Sequence, residues 1–389
     1  MGTLYIFELR KIFQQKIVLF AILAGSISII FLNVSGLFGE GYYYVYQAAD
    51  HSVERETMPM AQLEIMRRDY LVQFSGQVLD ESLMDMLKEN YGDSETGTIQ
   101  WNLNEYSPFL YLNVHEDREN ASAQAFYKQR LTGFSKDSGS EDLSETELEY
   151  WQDKAGKLGP IVLDYAGGWQ TAGNNFGFLS LVTIFIVTVG LCREFSREYT
   201  YRTNAVIKTS VLGRKTVFYA RILAGISFCV GIALVLFGIH IVSCGVIYGW
   251  SGFFTPLQLW SEGSSSALDL SIGGFILILL ALLILGAGMT GTFVMFLSES
   301  TRSPILAMLL PFVFSALVFL EVFHGKGRIV EQIARYIPVW RASKNTLEDD
   351  WLVILGSVKL NGIQASFIFY TGILLGFVRV CRGFYGRNP

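Results

Sequence analysis

Six long apolar runs, near residues 17–38, 176–192, 217–250, 272–297, 305–323 and 363–378, decide what this chain can become. Backbone in hydrocarbon must satisfy its N–H and C=O groups internally, so runs of this kind become helices. Crossing a core of ~30 Å takes about 20 residues. Most of the runs qualify; the second and the last borrow flanking residues, and the third is long enough to tilt. Composition agrees. Only 17% of residues are charged and mean hydropathy is +0.35, where a soluble domain carries about 25% charge. The expectation is an α-helical polytopic membrane protein with six transmembrane helices.

Charge sets the orientation. With flanking residues the spans are read as 17–38, 176–192, 217–250, 272–297, 303–323 and 363–381. Residues 39–175 are strongly acidic, with 24 carboxylates and 10 basic residues between positions 38 and 175. Residues 1–16 carry three basic and one acidic, residues 193–216 six and two, and the tail after Val378 three arginines and no acid. Basic residues near span ends favour the cytoplasm. A multi-pass protein of the cell membrane with both termini cytoplasmic is expected, with 1–16, 193–216 and 382–389 inside. One segment dissents: 324–362 is slightly basic, six against four, yet falls outside by count. The first run is too long for a secretory h-region and lacks a small-x-small cleavage site, so it is read as a retained anchor.

Residues 1–16 have apolar positions at roughly helical spacing, which predicts an amphipathic helix in the membrane interface. The outer segment 39–175 is long enough for one small domain. Helices are expected over 60–71, from Asp80 to a stop at Gly92, over 120–131, and after Ser144, whose Ser-Glu-Thr-Glu sequence is a capping box ahead of Leu148, Trp151, Ala155 and Leu158. Residues 98–114 alternate and suggest a strand. The four cysteines lie in or beside apolar runs, so no disulfide framework is expected in this domain. In 324–362, the eight-residue apolar run from Trp351 is too short to span. It is read as a re-entrant or interfacial helix or as packing against the outer domain.

Catalytic signatures are missing. There is no G-x-x-x-x-G-K-[ST] and no G-x-S-x-G, and the four histidines have no metal-ligand spacing. The chain is therefore read as a non-enzyme with no catalytic residue, no metal and no cofactor, and without a nucleic-acid partner.

Residues 193–221 are the exception: a polar, hydroxyl-rich segment between two apolar runs. From Glu198 the chain reads EYTYRTNAVIKTSVLGRKTVFYAR. Glu198, Thr203, the apolar stretch 205–207, Ser210, Arg214 and Arg221 resemble the loop signature of ABC-2 type transporter permeases, with one departure: Arg202 stands where the family usually has Gly. The six-span plan, the amphipathic N-terminus, the broken region before the last span and, in a bacterial subgroup, a large domain between the first two spans fit the same resemblance.

That resemblance implies an ABC-2, or type V exporter-like, fold with a mainly helical extracytoplasmic domain. It implies a coupling helix that docks on separate cytosolic ABC ATPase subunits, which bind the ATP and Mg. It also implies a second permease chain, as a homodimer or heterodimer. The coupling residues would be Glu198, Tyr199, Tyr201, Thr203, Val206, Ile207 and Arg214.

Other ionisable groups lie beside the spans. Arg221 is expected to anchor the inner face by snorkelling. Glu321 is the candidate for a polar pathway, or for pairing with Arg328. Glu299 and Arg302 are expected as solvated ends of a tight turn. Ala287 and Gly291 give a small face for helix packing, more within the chain than at a dimer seam. A non-transporting sensor or scaffold with a ligand-binding outer domain is the alternative. A secondary transporter is a third, disfavoured by the scarcity of ionisable residues within the runs.

Overall fold

In a computed structural model, the chain is described at residues 2–47, 52–90, 122–124, 127, 143–203, 209 and 213–387. Helices dominate. Five are long and apolar enough to cross a membrane: Lys16–Ser35, Gly167–Tyr199, Lys215–Tyr248, Ile272–Thr301 and Gly362–Tyr385. The chain is thus an α-helical membrane protein. The fifth apolar run forms a shorter helix, Pro304–Phe319. Its 16 residues rise about 24 Å, less than a ~30 Å core.

In chain order the helices are α1 (Gly2–Phe13), α2 (Lys16–Ser35), α3 (Met60–Val72), α4 (Glu81–Asn90), α5 (Glu145–Gly156), α6 (Gly167–Leu191), α7 (Ser196–Thr200), α8 (Phe218–Tyr248), α9 (Ile272–Thr301), α10 (Pro304–Phe319), α11 (Arg328–Arg335), α12 (Pro338–Arg341) and α13 (Gly362–Arg387). Two antiparallel hairpins, β1–β2 (Glu40–Gln47 with Ser52–Pro59) and β3–β4 (Val353–Leu355 with Val358–Leu360), and a few short 3₁₀ and π turns accompany them.

The bundle is built around α6. It packs against α2, α8, α9 and α10, and its residues from Phe176 to Leu191 are largely buried. Small residues permit the close approach. A side chain at Gly291 of α9 would meet Cys229, Leu191 and Val187, and one at Gly286 would run into Pro338. This small face is therefore spent on contacts inside the chain. The outer surface of α2 is apolar and bare, with Phe20, Leu23, Ile27 and Phe31 exposed as lipid-facing side chains are. The long helices alternate in direction. Face A, which carries α1, also carries the α6–α8 connection and the end of α13, where Phe195, Phe218 and Tyr385 form a ring cluster. The described residues between 36 and 166, together with 249–271 and 320–361, lie at the opposite face, B.

Near face B, a polar network crosses three helices. His240 Nε2 lies 2.9 Å from Ala172 O, and Asn33 Nδ2 lies 3.1 Å from His240 Nδ1, which assigns the ring proton to Nε2. Asn33 Nδ2 also donates to Ser243 Oγ (2.7 Å), Asn175 Nδ2 to Asn33 Oδ1 (3.0 Å) and Tyr248 Oη to Asn33 O (3.0 Å). Each polar group has its partner, as burial in an apolar bundle requires. In the sequence His240 is one of four scattered histidines, and its partners here, Asn33 and Ala172, lie far away in the chain.

The described part of the face B domain has a small core of Leu71, Phe74, Leu79, Leu83, Met84 and Leu163, closed by Leu259 from the 249–271 loop. The expected strand over 98–114 lies outside the described residues, as does most of 120–131. The Ser144 capping box is formed: Ser144 N donates to Glu147 Oε2 at 2.8 Å. The other oxygen of Glu147 reaches away from the helix, accepting Arg328 Nη2 (2.9 Å) and Leu352 N (3.0 Å). Trp151 Nε1 donates to Asp350 O at 2.7 Å. Burial would raise the Glu147 carboxyl, but hydrogen bonds from Ser144 and Leu352 and the Arg328 charge hold it below the usual range. α5 is thereby bolted to the segment that precedes α13.

That segment decides between the two expectations for the run from Trp351. The run is not a helix: it leads into the β3–β4 hairpin, and its Leu352 packs against Trp151 and Ala155 of α5. The part that inserts into the bundle is α12, which packs against α6 and α9, with Ser180 Oγ donating to Pro338 O at 3.4 Å. Arg341, fully buried on α12, pairs with Asp349 at 2.6 Å and lies against the Tyr336 and Trp340 rings.

Candidate functional site

The polar segment between α6 and α8 begins as a tight elbow. Residues 192–195 turn, α7 follows, and a Schellman motif ends it: Thr203 N donates to Glu198 O (3.0 Å) and Arg202 N to Tyr199 O (3.2 Å). This motif needs a left-handed residue, and Arg202 takes that conformation with φ 57°. The position where the resembled family usually carries Gly is therefore the one whose backbone favours Gly.

Three helices hold the elbow. Ser298 of α9 accepts from Phe195 N (3.3 Å) and Ser196 N (2.9 Å), and its hydroxyl donates to Cys192 O (2.7 Å). Tyr199 Oη donates to Glu299 Oε1 at 2.7 Å, and the Arg302 guanidinium sits 4.7 Å from the Tyr199 ring. Glu299 is 1% exposed. It is not the solvated end expected from its place beside a turn, because the tyrosine hydroxyl gives it a buried partner.

The second attachment is ionic. Arg221 of α8 donates through Nη2 to Glu198 Oε1 and lies 3.3 Å from Glu8 of α1 and 3.9 Å from Glu194. Lys11 bridges Glu8 (2.7 Å) and Glu194 (3.4 Å). Arg221, Glu198, Glu8 and Glu194 are all buried. Burial would raise the Glu8 carboxyl; the charges of Arg221 and Lys11 outweigh it and hold the group low. Arg221 thus does not snorkel: its guanidinium turns inward to three carboxylates that only the folded chain assembles.

α1 completes the arrangement. Tyr5 Oη donates to Ser227 Oγ (2.9 Å), and Phe13 meets Phe228 edge-on at 5.3 Å. Ile12 and Glu8 face the bundle, while Ile6 and Phe7 stay exposed.

The residues expected to contact a partner therefore divide. Glu198 and Tyr199 face the bundle. Tyr201 is 66% exposed, with Arg197 over its ring at 5.6 Å, and Thr203 is exposed beside it. Val206 and Ile207 lie outside the described residues. Arg214 is on a π-helical turn, Gly213–Val217, that leads into α8. Glu321 sits apart at face B. It is the left-handed residue (φ 55°) ending α10, exposed, and accepts from Asn345 Nδ2 at 3.2 Å. Arg328 engages Glu147 instead. Among the described residues no group of three His, Cys, Asp or Glu side chains could hold a metal ion. Compared with known proteins, the chain matches no family model, no curated protein and no solved structure.

Proposed function

We propose that this chain is the permease subunit of an ABC exporter of the ABC-2 type, driven by a separate cytosolic ATPase. The reading takes face A as cytoplasmic, counts α10 with its flanks as a sixth span, and pairs the chain with a second permease. One observation carries it: a short helix is fastened to α1, α8 and α9 by buried groups, while the residues just beyond it, Tyr201 to Thr203, face solvent. Displacing such a segment moves three helices together. A mobile or purely solvated loop would dissipate the same push. The ATP and Mg belong to the partner, and the cargo would pass between the two permeases.

The test is co-purification with a P-loop ATPase encoded beside this chain. Replacing the exposed Tyr201 and Thr203 by Ala should weaken the complex at least about tenfold without moving the melting temperature, and replacing residues 204–212 by a Gly-Ser linker as well should abolish it. An undiminished complex overturns the reading.

A ligand-sensing scaffold is the second reading, favoured by the bolt from Glu147 and Trp151 to the segment before α13. It predicts that a bound ATPase would hydrolyse ATP without moving cargo across reconstituted vesicles.

A further inference from the structure

The elbow, α1 and the start of α2 enclose an open cavity of about 1280 Å³ at face A. Its inner wall is the buried ionic cluster, where carboxylates and cations are spent on one another. Its rim is different. Arg10, Lys16, Arg193 and Arg197 line it, all exposed, and among the described residues none forms an ion pair with a carboxylate. Four unmatched cations around one mouth repel each other and favour an anion. The guanidinium fork suits phosphate in particular.

The same mouth is also apolar. Phe7 and Ile17 line it, 63% and 50% exposed, and the lipid-facing surface of α2 continues directly from Ile17. A free anion uses the cations and ignores that surface. A phospholipid uses both, with its phosphate among the cations and its acyl chains along α2. A protein partner would need no continuity with the lipid-facing surface.

We propose that this cavity is a binding site for the phosphate headgroup of an anionic phospholipid, seated beside the ionic cluster that fastens the elbow. The site does not depend on the transport reading, because it needs only the membrane and the rim cations. A bound headgroup would lower the repulsion between α1, α2 and the elbow, and so stiffen the segment that carries Tyr201.

The test uses the purified full chain in mild detergent and native mass spectrometry with equimolar phosphatidylglycerol and phosphatidylcholine. Phosphatidylglycerol should be retained about tenfold over phosphatidylcholine, given the attraction of each basic residue to anionic lipid. The triple variant R10Q/K16Q/R193Q should bring the ratio to parity with its melting temperature unchanged, since these side chains make no buried contact. The control R379Q/R382Q, at the far end of α13, should keep the preference. Equal retention of both lipids by the wild type overturns the site. So does an equal loss in the control, which would reduce the effect to net charge. Inorganic phosphate should fail to match the thermal shift given by phosphatidylglycerol; an equal shift makes the ligand a free anion and overturns the lipid assignment. Loss of a co-purifying ATPase from the triple variant with lipid retention intact also overturns it, in favour of a protein-docking rim.

Discussion

At the scale of single residues, the strongest constraints sit where a side chain and its backbone disagree. Arg202 occupies a left-handed position that costs a non-Gly residue roughly 1 kcal/mol. Arg202→Gly should therefore stabilise the protein by about 1 kcal/mol, or leave it unchanged where Gly loosens the unfolded chain in compensation. A fall in melting temperature would mean that the Arg202 side chain has a partner of its own. The four cysteines are all buried, so a thiol-reactive dye reports the melt directly. Arg221 makes the opposite case. Removing it as Arg221→Met strands the Glu198 carboxylate and leaves Glu8 and Glu194 with Lys11 alone, and breaking a buried pair in this way costs about 3–5 kcal/mol. The double variant R221M/E198L should be milder than R221M alone; additive losses would show that the two groups are not coupled. The identities of both residues were legible in the sequence, but their roles were not. Glu8 and Arg221 are 213 positions apart, and a charge beside an apolar run reads as a solvated anchor until the fold brings the partner.

At the scale of elements, periodicity and capping were informative where the signal was local. The Ser144 box starts a helix, and the apolar runs become helices, because both depend on neighbours within a few residues. The run from Trp351 went the other way. Eight apolar residues do not specify a period, and Gly356 at φ 62° permits the turn that pairs Leu355 with Val358. Gly291 illustrates the intermediate case. Its smallness was visible, and the structure supplies the partners. Gly291→Leu should cost about 1–3 kcal/mol by overpacking against Cys229, Leu191 and Val187, with no change in oligomeric state. A shift from dimer to monomer at unchanged melting temperature would place this face at a subunit seam instead.

At the scale of the whole molecule, the face B domain meets the segment before α13 at a titratable corner. Asp350 is half-buried where α5 meets the segment before α13. Burial and the neighbouring Asp349, Glu147 and Glu348 charges push its carboxyl up to about 7, against a weaker opposing pull from Arg335. A carboxyl raised on folding favours the protonated native state. Its contribution is fully present below the unfolded value near 4 and is lost as pH rises through about 7. Glu147, held low, works in the reverse sense: it supports the joint at neutral pH and fails only in strong acid. Between pH 5 and 8 the Asp350 carboxyl therefore governs, and the joint should loosen as pH rises. Asp350→Asn keeps the backbone carbonyl that accepts Trp151 and removes the charge. It should raise stability at pH 8 by about 1–2 kcal/mol and leave it nearly unchanged at pH 4. Hydrogen exchange across α5 should slow at pH 8 in the variant, after correction for the intrinsic rate. A variant whose α5 exchanges at the wild-type rate at both pH values would show that Asp350 titrates without bearing on how the face B domain is held to the bundle.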